Sequence, residues 1–206
     1  MIIIGPRTET LKDIQLYQNN GWGRMYINRR PTPYQNEPWG WDNGAYQAFQ
    51  NGTEININEW IKRTEKIANV PAPYLCVLPD IVGGGKRSLQ LSINNRIYIP
   101  EDWPAYLPVQ DGITENDVIP YLHMIDGIFL GGTTTYKKNA AAWSDFAHTH
   151  DIKFHYARAG TRRKLQDALL CGSDSVDTAC PLWIPRQMKQ FKRWTIELNT
   201  QRNLFV

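Results

Sequence analysis

The residues best suited to chemistry are carboxylates that follow short apolar runs. Asp177 closes the stretch Cys171-Gly-Ser-Asp-Ser-Val-Asp177. It comes after a helix-forming run, Thr161 to Leu170, and a brief strand-like segment, Asp174 to Val176. Gly172 suits the left-handed residue that ends such a helix. Asp42, Asp80, Gln110 and the Gly131-Gly132 pair follow their own apolar segments in the same way. A carboxylate at a strand end can serve as nucleophile or as general acid and base. Each also has an ordinary reading. Asp42 heads an Asp-Asn-Gly turn, Asp80 can cap a helix, and Asp177 can cap the next segment or pair with Arg158 or Arg186. Other chemistries fit less well. Gly83-Gly-Gly-Lys-Arg-Ser88 has Asp80 where a phosphate loop needs its first glycine, and Arg87 where a hydroxyl should follow the lysine. His148-Thr-His150 has a spacing of two, which does not set both imidazoles on one helix face for a metal. Cys180 has no activating partner in the sequence.

The elements that must position these residues alternate. Met1 to Ile4, Arg24 to Asn28, Tyr74 to Leu78, Ala105 to Val109, Asp126 to Leu130 and Ile152 to Tyr156 read as strands, followed by the segment before Asp177. Helices fall between them. Thr8 or Thr10 starts one that Asn19-Asn20-Gly21 closes, and Asn58 caps an amphipathic run from Glu59 to Asn69. A helix from Glu115 to Met124 should bend at Pro120. Residues 29–41 hold Pro31, Pro33 and Pro38 and read as loop. Such alternation predicts a parallel sheet. An open sheet would gather its functional residues at one switch point, whereas here polar residues end strand after strand. The expected fold is therefore α/β, a compact (β/α)8 TIM-like barrel with trimmed or missing elements, formed as one domain over residues 1–206.

The 206 residues, 42% hydrophobic and 21% charged, suit a globular protein with a sizeable core. No apolar run approaches a membrane span, and no signal peptide is recognisable. Three cysteines without Cys-x-x-Cys spacing suggest free thiols in a reducing cytoplasm. Net charge is +3. Arg158, Arg162, Arg163, Lys164, Arg186, Lys189, Lys192 and Arg193 crowd the last quarter, where they could form a phosphate-binding surface or a solvated helix face. Of the eight tryptophans, Trp39 and Trp41 flank a glycine before Asp42, and could stack on bases or belong to the core.

The order of these motifs resembles the tRNA-guanine transglycosylase superfamily. That family carries an Asp-Ser-Gly-Gly-Phe-Gln turn, a later strand-end aspartate, a Val-Gln-Gly turn and a Gly-Gly strand end. A tyrosine-bearing strand with a glycine loop and an Asp-x-Phe-Asp turn follow. This chain has Asp42-Asn-Gly-Ala-Tyr-Gln47, Pro79-Asp80, Val109-Gln-Asp-Gly112, Gly131-Gly132, His155-Tyr156 with Gly160, and Asp174-Ser-Val-Asp177. The resemblance spans residues 42 to 181. It implies that Asp177 is a nucleophile toward a sugar C1′ and Asp42 an acid/base for the purine proton. It further implies that Asp80, Gln110 and N–H groups around Gly131-Gly132 bind the base edge. Tyr46, in place of a family phenylalanine, would stack on the base, and Tyr156 would belong to the substrate site.

The family's Cys-x-Cys-x-x-Cys…His zinc set is absent, the chain is much shorter than the tRNA enzymes, and the loop after Tyr156 is one residue shorter. In this it resembles the short, zinc-free DpdA-like transglycosylases of phages and bacterial islands, which insert 7-deazaguanines into DNA. The resemblance implies replacement of guanine in flipped or single-stranded DNA by a free 7-deazaguanine, the 7-cyano form being expected. No cofactor and no metal would be needed, and the location would be cytoplasmic, the host's if phage-encoded. A minimal tRNA enzyme, a nucleoside N-glycosidase and a non-catalytic nucleic-acid-binding barrel are the alternatives.

Overall fold

The computed structural model describes residues 1–179 and 185–203. Eight parallel strands close into a barrel in chain order. They are β1 (Ile2–Pro6), β2 (Gly23–Tyr26), β3 (Gly40–Trp41), β4 (Leu75–Val77), β5 (Ala105–Val109), β6 (Gly127–Leu130), β7 (Lys153–Tyr156) and β8 (Ser175–Asp177). The sheet closes where β8 pairs with β1, with Ile4 opposite Asp177, so no strand edge is left open. The helices are α1 (Leu11–Asn20), α2 (Ala45–Gln50), α3 (Ile57–Ile67), α4 (Lys86–Asn94), α5 (Glu115–Val118), α6 (Ala140–Thr149), α7 (Arg162–Leu170) and α8 (Pro185–Asn203). Among the described residues, no helix is long and apolar enough to cross a membrane.

Local chemistry explains most boundaries. Gly21 and Gly172, both left-handed, end α1 and α7. The α-helix begun at Glu115 stops at Val118 and continues as a 3₁₀ turn, Ile119–Met124, because Pro120 lacks the N–H that an α-helix needs. The cap of α3 is Asn56 rather than Asn58. The Asn56 side chain accepts from Glu59 N at 3.2 Å, and the helix starts two residues earlier than its charge pattern suggests.

No helix joins β2 to β3, which is where the barrel is trimmed. The proline-rich loop in its place is tied down by a buried ion pair. Arg24 meets Glu37 with two bonds of 2.7 Å and also donates to Thr8 O and Thr32 O. The loop reading fails at its last two residues, since Gly40 and Trp41 form β3. A strand this short carries no pattern of its own. It exists because Gly40 pairs with Met25 and with Leu75. A side chain on Gly40 would meet Met25 Sδ at 2.7 Å, inside the barrel.

Strand side chains alternate between two cores. Ile4, Leu75, Val77 and Tyr106 fill the barrel, with Ile2, Met25, Tyr74 and Phe129 around them. The opposite parity, including Tyr26, Trp41, Cys76, Ile128, Phe154 and Tyr156, packs with the helices. Trp39 lies edge-on to Tyr26 and Trp103, and Trp41 donates its indole N–H to Thr64 Oγ1 at 3.1 Å. These two tryptophans are core, not surfaces for bases.

Candidate active site

Asp177 ends β8 with the parity of Ser175, facing the barrel interior. Its Oδ1 accepts two hydrogen bonds, from His155 Nε2 at 3.0 Å and from the Arg158 backbone N–H at 2.9 Å. A carboxylate can only accept, so His155 carries its proton on Nε2. The other ring nitrogen, Nδ1, lies 2.8 Å from Ser175 Oγ, whose hydroxyl can donate to it. The imidazole is fully buried and stacks on Phe129, with centroids 4.7 Å apart and planes within 8°. Burial alone would raise the proton affinity of Asp177. The His155 and Arg158 donors and the positive charge of Lys137 outweigh it, so the carboxyl titrates below its ordinary range. Oδ2 makes no hydrogen bond among the described residues. Of the structural alternatives for Asp177, pairing with the Arg158 guanidinium is not what occurs, because the contact is to that residue's backbone.

Asp42 follows β3 and is treated in the opposite way. Its N–H continues the sheet by donating to Tyr26 O, and its Oδ1 accepts from Gly44 N at 2.9 Å. Gly44 has φ +84, which frees the chain to turn sharply into α2. Burial pushes the Asp42 carboxyl up to about 6. The charge of Asp177 adds to this, while the Gly44 N–H and Arg63 oppose it. Asp80 is raised further, to about 7, by burial above all and by the charge of Asp42, against a hydrogen bond from Asn43 and the charge of Arg158.

Asn43, read only as part of a turn, is the link between these two carboxylates. It is buried and donates to Leu78 O at 2.7 Å and Asp80 Oδ1 at 2.8 Å, while its oxygen accepts from Ala45 N at 2.7 Å. Gln110 is likewise committed to the protein. Its amide nitrogen contacts Ile81 O, Ser88 Oγ and Asp80 Oδ2, and its oxygen accepts from Gly83 N at 2.6 Å. The structure thus makes Gln110 a brace for the loop that carries Asp80. A cavity of about 350 Å³ opens beside Asp80, walled by Ala45, Phe49, Ile55 and Ile81.

The Gly131 N–H is used in the sheet, toward Val109 O. Gly132 has φ +76, and a Cβ there would lie 2.7 Å from Asp111 Oδ2, so only glycine fits. Its carbonyl accepts from Arg158 Nη2 at 2.9 Å. The Arg158 guanidinium carbon lies 4.6 Å from the ring centroid of Tyr46, which is 45% exposed and stacks loosely on Phe49. Asp177, Asp42, Asp80, Tyr46 and Gly132 therefore gather around one end of the barrel, bridged by Arg158.

Tyr156 does not join them. It has the opposite parity to His155, is 2% exposed, and packs in the helix layer. The motif placed it at the strand end, and the two-residue period of a strand turns its ring away. Of the basic residues, Arg162 and Arg163 are exposed and Lys164 half-buried in the first turn of α7, with Arg162 3.5 Å from Glu197. The Arg186 side chain and Cys180 lie outside the described residues. His148 meets Asp174 at 3.0 Å at the opposite end of the barrel, where Lys153 also pairs with that aspartate. Among the described residues no three His, Cys, Asp or Glu side chains are grouped to hold a metal ion.

Neither His155 nor Lys137 stands out in the sequence as a site residue. His155 precedes Tyr156 in the same strand, and its parity, opposite to that of Tyr156, is the signal that could have found it. Lys137 carries no sequence signal, because nothing in Tyr136-Lys-Lys-Asn139 tells a buried lysine from an exposed one. No family model matches the chain, and no curated protein matches it.

Proposed function

We propose that this protein is a base-exchange transglycosylase that replaces guanine in DNA with a free 7-deazaguanine, the 7-cyano form being the expected one. The observation that carries the reading is the split between two carboxylates at one barrel mouth, with Asp177 held ionised and Asp42 held near neutrality. Environments that drive two carboxyl groups apart separate a nucleophile from an acid/base. In the first displacement, Asp177 Oδ2 attacks C1′ and the C1′–N9 bond breaks. Its electron pair goes to the base, and Asp42 supplies the proton that guanine takes with it. In the second, Asp42 removes the ring N–H proton of the incoming base. That nitrogen attacks C1′ and the ester to Asp177 breaks, so configuration is retained. Asp80, in its protonated form, and the Gly132 N–H would meet the base edge, with Tyr46 stacking on its face. Reaching C1′ requires a flipped or single-stranded nucleotide. The basic first turn of α7 would receive phosphates, which makes binding fall with salt.

The deciding experiment mixes protein with a guanine-containing oligonucleotide and a slowly reacting deazapurine. The expected result is a protein–DNA adduct on a denaturing gel that maps to Asp177. Labelled base should enter DNA in preference to tRNA. An adduct at another residue would end the reading, and exchange confined to tRNA would replace its polymer.

A further inference from the structure

Lys137 lies in the 3₁₀ turn Tyr136–Asn139, between β6 and α6, and is 5% exposed. Its ammonium sits 4.7 Å from the centroid of the Tyr156 ring and donates to Ala157 O. Among the described residues it has no ion-pair partner, although buried ammonium groups are normally paired. The carbonyl it binds belongs to the same planar peptide as the Arg158 N–H, and that N–H holds Asp177 Oδ1 at 2.9 Å. Ammonium, carbonyl, N–H and carboxylate therefore form one unbroken row. Hydrogen bonds in such a row polarise one another. Arg158 has φ +55, a left-handed setting that a non-glycine residue keeps only when its surroundings hold it.

We infer that Lys137 is a positioning residue for Asp177: its ammonium orients and polarises the Ala157–Arg158 peptide, so that the N–H grips Oδ1 and leaves Oδ2 free to react. The catalytic sense of this rests on the proposed role of Asp177, whereas the coupling between the two side chains does not. Burial presses the Lys137 ammonium down to about 7. The charges of Arg158 and Lys164 add to this, Asp177 opposes it, and the face of Tyr156 lies against the amine. The relay is complete below neutrality and fades as the amine loses its proton.

The test is an NMR titration of the wild-type protein carrying labelled lysine and aspartate carbons. The Arg158 amide and the Asp177 carboxyl carbon should both follow the inflection of the Lys137 side chain. In Lys137→Met, which keeps the apolar stem, that shared inflection should vanish and Asp177 should titrate higher. Adduct formation measured below pH 7 should slow by about tenfold, the loss expected for one hydrogen bond to a charged group. Wild-type signals of Asp177 and Arg158 that ignore the Lys137 inflection would overturn the inference, even in a protein that forms the adduct. Coupled shifts in a protein that forms no adduct would instead sustain the relay and remove the proposed reaction. Should Lys137→Met fail to fold, the wild-type titration decides alone.

Discussion

At the β8 corner of the mouth, Asp177 meets an imidazole N–H, a peptide N–H and the charge of a buried lysine. At the β3–β4 corner, Asp42 and Asp80 are covered as deeply, each within reach of another carboxylate's charge, and the Asp42 Oδ1 accepts from the Gly44 N–H of its turn. Both corners take a carboxylate out of water, which by itself favours the protonated form. Donors alone do not decide the outcome, since Asp80 also accepts from two amide groups. Where the donors come with the positive charge of Lys137 the carboxyl stays ionised, and where burial is joined by the charge of another carboxylate it titrates near neutrality. One barrel end thus holds an ionised carboxylate and a carboxyl that titrates near neutrality, made from the same residue type.

The strongest way to break this contrast is Asp177→Asn. The amide oxygen can still accept from His155 and Arg158, so the fold should survive. The attacking charge is gone, and adduct formation and exchange should fall on the order of ten-thousandfold or more. A single-turnover assay with labelled base reads this directly. Exchange within tenfold of wild type would remove Asp177 from the reaction.

Asp42→Asn tests the other corner with a smaller effect on rate and an opposite effect on stability. Loss of an acid/base should slow exchange on the order of a hundredfold. The carboxyl of Asp42 titrates higher in the folded protein, at about 6, than the ordinary value of about 3.9. The folded state therefore binds the extra proton, and stability falls as pH rises from about 4 to about 6. Asparagine escapes that loss. Asp42→Asn should be more stable than wild type at pH 8, by about 1–2 kcal/mol once solvent screening of a half-buried group is allowed for, and equal to it near pH 3. The sign reverses for Asp177, whose folded-state pKa is depressed. Its stabilising charge is present above about pH 4 and lost as pH falls through the folded value. Asp177→Asn should accordingly melt lower than wild type at pH 8 and approach it as the pH falls. Thermal melts of the two variants at both pH values check the reversal. Parallel shifts would mean that the corners do not differ.

The contrast was only half legible in the chain. Asp80 and Asp177 could be seen as strand-end aspartates, because an apolar run followed by a carboxylate marks both the strand and its end, whereas Asp42 stood out without its strand. Alternation of such runs with capped helices pointed to a parallel sheet, open or closed, and the polar residues that end strand after strand favoured the closed barrel. β3 escaped notice because two residues cannot show a two-residue period, and its pairing is set by Met25 and Leu75. The sign of each carboxyl's shift could not be read at all. It depends on which N–H groups and charges converge in space, and His155, Arg158 and Lys137 act on Asp177 from 22, 19 and 40 residues away. Gln110 shows the same limit from the other side. A strand-end glutamine reads as a ligand until its amide proves to be filled by Gly83, Ile81, Ser88 and Asp80.

Tyr46→Leu sharpens the contrast with the smallest expected effect. Tyr46 belongs to the Asp42 corner by sequence, in α2, and touches the Asp177 corner through the Arg158 guanidinium over its ring. With 45% of its surface exposed, it adds little to the core, so the variant should melt with wild type to within about 0.5 kcal/mol. Leucine keeps apolar area and loses the π face. If a base replaces the guanidinium on that face, KM for the base should rise about tenfold, in line with the value of one stacked base. The chemical step should change by no more than about twofold, because neither carboxylate is touched. Tyr46→Phe retains the ring and should behave as wild type in both respects. Steady-state exchange with varied free base separates these outcomes. An unchanged KM in Tyr46→Leu would leave the ring as a prop for Arg158 and move the base elsewhere. A large fall in kcat would instead mean that the Arg158 contact transmits to Asp177, and that the two corners work as one.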